Sequence, residues 1–309
     1  MSEDMKKLSG MIAAAPTPMK PNGDLDLDRV PALVEHLLRD GIDGIYILGS
    51  TGEGVSMTSE ERRQVAVTFI EAMKHRKPVI VQVGHTCVAE ARELAAHAAD
   101  AGADAISATP PHYFPMGSMD ALIDCTAEIA AGAKALPFYY YSIPRLTGVN
   151  VDMPEFLTKA GDRIPTLAGL KFTSHSIHEF QVCLELDQGR FDCLWGSDEM
   201  LLSALTIGTR GVVGTTYNFA APLYHEIFKS YEQGDLLTAR QTQLRAAKMI
   251  RIMIRYGGLP AFKAAMGFVG MDCGPVRRPL SALSESAKND LHRELKTLGF
   301  FEWLSRKAA

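Results

Sequence analysis

The sequence predicts a closed (β/α)8 TIM barrel, an α/β fold, that carries a C-terminal helical extension. Three observations support this. Eight short apolar runs alternate with amphipathic stretches. A helix-stop-then-strand pattern repeats: Asp40-Gly41-Ile42-Asp43-Gly44-Ile45 resembles Ala101-Gly102-Ala103-Asp104-Ala105-Ile106. After Ala220 the strand pattern ends and only helical periodicity remains. The expected division is a barrel over residues 1–233 and a helical extension over residues 234–309, packed on the barrel because no low-complexity linker separates them. An open doubly wound sheet is the alternative that fits the same alternation.

The apolar runs cover residues 11–15, 44–48, 78–83, 104–108, 137–141, 166–171, 191–195 and 211–214. Most are apolar on both faces, as strands of a covered parallel sheet must be. Between them, residues 28–40 carry Val30, Leu33, Val34, Leu37 and Leu38 and stop at Gly41. Thr58-Ser59-Glu60-Glu61 reads as a capping box, followed by Val65, Phe69 and Met73 at four-residue spacing. Residues 90–100 are alanine-rich and stop at Gly102. Residues 223–231 are expected to form the last barrel helix, and residues 236–255, 260–269 and 281–298 the extension.

Composition narrows the function classes. The 309 residues are 47% hydrophobic and 22% charged, which is ordinary for a globular protein. A net charge of -4, with no basic block, gives no nucleic-acid face. Residues 1–10 are polar and lack the apolar core of a signal peptide, and no run reaches the ~18 apolar residues of a membrane span. A cytoplasmic location is expected. Five cysteines with no CxxC spacing suggest neither a disulfide framework nor a zinc ribbon. The nine histidines form no HExxH or clustered set, so no metal is expected.

In a β/α barrel, chemistry sits where the strands end at their C-terminal side. The second strand ends in Gly49-Ser50-Thr51-Gly52-Glu53-Gly54. This reads either as a tight turn or as an anion site of backbone N–H groups and small hydroxyls. The Glu53 carboxylate is expected to face the loop's own backbone. The fifth strand ends in Tyr139-Tyr140-Tyr141, and alternation sends Tyr139 and Tyr141 to one face and Tyr140 to the other. Each tyrosine reads as core or, at the mouth, as a proton relay. The sixth strand ends in Gly169-Leu170-Lys171-Phe172-Thr173. A strand-end lysine can reach solvent. In a barrel mouth, burial would disfavour its charge and leave a nucleophilic amine. The seventh strand ends in Gly196-Ser197-Asp198-Glu199. Ser197 could cap a helix whose first turn favours the acids, or the acids could accept from substrate hydroxyls. Small residues follow the eighth strand at Gly214-Thr215-Thr216-Tyr217-Asn218. His175 and His178 read as helix surface.

Gly49-Ser50-Thr51-Gly52-Glu53, Tyr141 with Pro144, and Gly169-Leu170-Lys171, in that order, resemble the dihydrodipicolinate synthase/N-acetylneuraminate lyase family over nearly the whole chain. The family is one of class I pyruvate-dependent aldolases on a barrel with a helical extension. Within it, the chain resembles the sialic acid lyases through residues 135–149, 169–172, 196–199 and 216–218. Leu146 stands where the synthase branch typically has an arginine for a second carboxylate, and Arg145 lies one place earlier.

The resemblance implies Lys171 as the Schiff-base residue and Tyr141 as the proton carrier near the scissile bond. Ser50 and Thr51 would hold the carboxylate of the 2-oxo acid, with Ser50 also in the relay. Thr173, Gly196, Asp198, Glu199 and Thr215 would line the sugar end. The implied reaction is retro-aldol cleavage of N-acetylneuraminate to N-acetylmannosamine and pyruvate. No cofactor is implied; a homotetramer is. The alternatives are another 2-oxo sugar acid, a synthase-like condensation, and a non-catalytic binding protein. The chain departs from the lyase pattern at Thr215, at Arg145, and at His112, which replaces a tyrosine next to Tyr113.

Overall fold

The computed structural model describes residues 7–305, so Met1–Lys6 of the polar start and the last residues of the extension lie outside the described residues. Eight parallel strands close in sequence order: β1 (Gly10–Ala14), β2 (Gly44–Ile47), β3 (Val79–Gln82), β4 (Ala105–Ala108), β5 (Phe138–Ser142), β6 (Leu167–Phe172), β7 (Asp192–Trp195) and β8 (Gly211–Gly214), with β8 pairing back onto β1. Each expected strand is present to within about two residues at its ends, the usual boundary uncertainty. The open sheet is excluded by the closure.

The barrel helices are α1 (Val30–Arg39), α2 (Ser59–Met73), α3 (Val88–Asp100), α4 (Met119–Ala130), the single turn α5 (Pro144–Thr147), α6 (Met153–Gly161), α7 (Ile177–Gly189), α8 (Leu201–Thr206) and α9 (Tyr217–Glu232). The extension holds α10 (Leu236–Arg255), α11 (Leu259–Phe268), α12 (Glu285–Leu298) and α13 (Phe300–Ser305). The Thr58 capping box forms: its hydroxyl accepts from the Glu61 N–H while the Glu61 carboxylate accepts from the Thr58 N–H. Two expectations need correction. The last barrel helix begins at Tyr217 rather than near 223, because its first turn is distorted at Ala220, two residues before Pro222. A last helix, α13, lacked enough periodic length to be read.

The core has two layers. Inside the barrel lie Ile12, Ala14, Tyr46, Ile80, Ala105, Tyr139, Tyr141, Ala168, Leu194 and Val213. Outside it, strand residues such as Ile45, Tyr140, Leu170 and Phe172 pack on the helices. Alternation on β5 is therefore as expected.

The sixth strand breaks alternation once. Phe138 pairs with Leu167 but Tyr139 pairs with Gly169, which leaves Ala168 as an extra residue, a β-bulge. Ala168 and Lys171 both face inward although three residues apart, and Leu170 faces the helices. Gly169 allows this: a Cβ there would lie 1.9 Å from the Asp192 carbonyl oxygen.

Candidate active site

Lys171 projects into the barrel from β6, opposite Tyr141 of β5 in register. Its residue surface is 4% exposed. The Nζ lies 3.9 Å from the Tyr46 ring centroid and 4.1 Å from that of Tyr141. Burial lowers the pKa of the amine, against the opposing pull of the Tyr141 phenol and the Asp198 carboxylate. No salt bridge to Lys171 occurs among the described residues, so the cost of burying it charged falls on the charged form. The result is an amine biased toward its neutral, nucleophilic state.

Tyr46 was missed by the sequence reading. It stands on β2 at an inward position, and its ring meets Tyr141 edge-on at 5.7 Å. Its hydroxyl donates to Ser107 Oγ at 3.0 Å, and Ser107 donates to the Tyr139 carbonyl at 2.8 Å. Two aromatic rings are thus fixed against the amine from different strands. The inward parity of Tyr46 within Gly44-Ile45-Tyr46-Ile47 was the available signal.

The turn after β2 brings Ser50 and Thr51 to the same mouth. Ser50 is half-buried and Thr51 buried. Thr51 Oγ1 lies 2.7 Å from Thr215 Oγ1, which ties the turn to the loop after β8. Leu48 and Glu53, with φ of 61° and 55°, bracket the turn in left-handed conformations that cost energy for non-glycine residues.

The Glu53 expectation fails. Its carboxylate does not turn onto its own loop but crosses to the extension, where it meets Lys263 of α11 at 2.7 Å and accepts from the Arg277 N–H at 2.6 Å. The partners lie more than two hundred positions away in sequence, which is why local reading could not find them.

The loop after β7 holds the acids. Asp198 is buried, and its Oδ2 accepts from the Thr216 N–H at 2.8 Å and the Thr216 hydroxyl at 2.6 Å. That hydroxyl also meets the Tyr224 hydroxyl. Burial pushes the Asp198 carboxyl up to about 6. Ser197 makes no side-chain cap. Glu199 remains partly exposed and lies 3.4 Å from His175 Nε2. His175 corrects one detail: it is exposed as expected but precedes α7, whereas His178 lies on that helix. Thr173 Oγ1 is buried without a partner, and a Cβ on Gly196 would come within 2.2 Å of it. Gly196 thus keeps a hydroxyl free at the rim.

The outer positions differ. Arg145 and Leu146 are exposed on α5. His112 is half-buried with Nδ1 unpartnered, while Tyr113 is exposed and packs edge-on with Phe114. Among the described residues, no group of three or more His, Cys, Asp or Glu side chains could hold a metal, and no helix is long and apolar enough to cross a membrane.

A barrel whose mouth gathers a buried lysine with no ion-pair partner, two tyrosine rings and a hydroxyl-bearing turn defines a lyase of the class I, Schiff-base aldolase type. The model of the dihydrodipicolinate synthetase family matches residues 7–298. The chain is 39% identical over 308 residues to N-acetylneuraminate lyase of Rattus norvegicus, covering 98% of this chain and 96% of that one. It is 38% identical to N-acetylneuraminate lyase of Homo sapiens, over 99% of this chain and 98% of that one. The solved N-acetylneuraminate lyase of Proteus mirabilis superposes with a TM-score of 0.93 at 37% identity, covering 96% of this chain and all of that one. The chain belongs to the dihydrodipicolinate synthetase family.

Proposed function

We propose that the protein is an N-acetylneuraminate lyase that cleaves sialic acid to N-acetylmannosamine and pyruvate. The observation that carries this is Lys171, buried without an acid partner between the Tyr46 and Tyr141 rings. The lyases named above, similar over nearly their whole length, support the substrate.

In the reaction, the neutral Lys171 amine adds to C2 of the open-chain sugar acid, and loss of water gives an iminium ion. That cation accepts the electron pair of the C3–C4 bond when the C4 hydroxyl loses its proton, which releases N-acetylmannosamine as an aldehyde. The Tyr141 phenol lies beside the amine and is suited to move that proton. Protonation of the enamine and hydrolysis then free pyruvate and the amine. Ser50 and Thr51 would hold the substrate carboxylate with their backbone and hydroxyl groups, Ser50 also serving the relay. Thr173, Gly196, Asp198, Glu199 and Thr215 would face the sugar hydroxyls. The free Thr173 hydroxyl favours this, because a site built to pair such groups rejects ligands that leave them unpaired. The reading includes a cytoplasmic homotetramer, testable by fractionation and light scattering, and the barrel–extension division at residues 233 and 234.

A second reading keeps the chemistry and changes the sugar acid. It is favoured by exposed Arg145, a cation at the rim where an anionic substituent could dock. The synthase-like condensation is disfavoured by Leu146, which is 57% exposed and offers no charge for a second carboxylate. One experiment decides. With pyruvate and borohydride, a reduced adduct is expected on Lys171 by mass spectrometry; its absence overturns the aldolase. With the adduct present, pyruvate release from sialic acid is expected to exceed that from other 2-oxo sugar acids. The reverse order gives the site to the second reading.

A further inference from the structure

We propose that Lys263, on α11 of the C-terminal extension, is a positioning residue for the 2-oxo acid. Its ammonium cancels the charge of Glu53 next to the carboxylate-binding turn and locks that turn in place. The inference rests on the reading that Ser50 and Thr51 receive the carboxylate.

The geometry is specific. The Glu53 and Lys263 side chains are each 2% exposed and meet at 2.7 Å. Lys263 Nζ also donates to the Pro275 carbonyl at 2.8 Å. The other Glu53 oxygen takes the Arg277 N–H. Arg277 then reaches the Gly23 carbonyl at 2.8 Å and both oxygens of Glu61, at 2.8 and 2.6 Å. One carboxylate is thus gripped by two separate segments of the extension. This grip holds Glu53 in its left-handed backbone conformation, at φ 55°. Thr17 Oγ1 supports the same turn by donating to the Gly52 carbonyl at 2.7 Å.

The second argument is electrostatic. Glu53 stands two residues after Thr51, and Thr51, Thr215 and Lys263 line one small void of about 10 Å³. Without Lys263, the buried Glu53 carboxylate behind this void would repel the carboxylate of an arriving 2-oxo acid. Water cannot screen the two charges in this position. Lys263 removes that repulsion from within the protein, so the extension forms part of the substrate site. Burial lowers the Lys263 pKa while Glu53 opposes this. A neutral partner would leave Glu53 uncompensated, so the function requires the charged pair.

The test uses the full chain and pyruvate as the probe, in mildly alkaline buffer where a carboxyl is ionised. Lys263→Gln keeps a hydrogen-bond donor and removes the charge. The pyruvate concentration for half-maximal borohydride trapping on Lys171 is expected to rise about tenfold, the ratio for roughly 1.4 kcal/mol of repulsion. The trapping rate at saturating pyruvate is expected to change less than about twofold, because the amine itself is untouched. In the double variant Glu53→Gln/Lys263→Gln, half-maximal trapping is expected to return to within about threefold of wild type. Circular dichroism establishes that each variant is folded. Wild type without an adduct overturns the aldolase reading. A wild-type adduct with unchanged half-saturation in Lys263→Gln overturns this inference alone. So does a double variant as impaired as, or worse than, the single, which is what a purely structural role produces.

Discussion

Among the described residues two lysines are buried, and their surroundings differ in one respect. At the barrel mouth, Lys171 is 4% exposed and has aromatic faces around its amine. At the seam with the extension, Lys263 is 3% exposed and has a carboxylate at 2.7 Å and a carbonyl at 2.8 Å. Burial lowers the pKa of both. Only Lys263 has a formal negative charge in contact to hold its proton. Burial alone therefore does not make a nucleophile; burial without an acid partner does.

The same substitution at the two sites should separate them most sharply. Lys171→Met is expected to abolish adduct formation and lower turnover by about 10⁴-fold or more, measured as pyruvate release. Residual turnover near wild type would end the distinction. Lys263→Met should cost about 3–5 kcal/mol of stability by denaturant titration, because it leaves Glu53 buried without its ion-pair partner, held among the described residues only by the Arg277 N–H. Tyr141→Phe removes the phenol hydroxyl and keeps a ring against the amine. Turnover should fall roughly 10²–10³-fold while borohydride trapping persists; trapping lost in parallel would mean that Tyr141 serves the amine and not the proton.

Two smaller effects refine the comparison. The folded-state pKa of Lys171 lies below its unfolded value, so its burial penalises stability below that lowered pKa. The penalty fades as pH rises toward the ordinary lysine range. Lys171→Met should thus raise stability at neutral pH by about 1 kcal/mol, opposite in sign to Lys263→Met, and the gain should shrink in alkaline solution. A loss of stability in the melting curve would contradict the lowered pKa. The smallest effect belongs to Asp198, whose charge pulls the Lys171 pKa upward. Asp198→Asn should move the acid limb of adduct formation slightly to lower pH, and movement the other way would refute that influence. In wild type the influence should itself fade below about pH 6, where Asp198 takes a proton.

How much of this the sequence showed depended on range. The eight strands were legible because each is a short apolar run whose burial on both faces leaves a local mark. Lys171, Tyr141, Ser50 and Thr51 stood out as candidates because they lie at or just after strand ends, and their proposed roles came from the family resemblance and not from position alone. Tyr46 was legible in principle from parity, yet it lies inside an apolar run and before the strand-end loop where candidates were sought. Glu53 was misread because its partners Lys263 and Arg277 come from the far end of the chain. His175 was misread because spacing to His178 suggested a helix that begins two residues later, at Ile177.

The bulge at Ala168 makes the orientation of the amine a matter of odd and even. In a regular strand, side chains facing the lumen keep one parity, and Lys171 has the opposite parity to Ala168. Straightening the bulge while keeping the three-residue spacing would leave the lysine in the chain, with the same composition and motif, yet point it at the helices. A strand that kept this spacing and Gly-Leu-Lys but paired without the bulge would keep the signature and lose the reagent. The pairing along β6, as much as the lysine itself, therefore sets which way the amine faces.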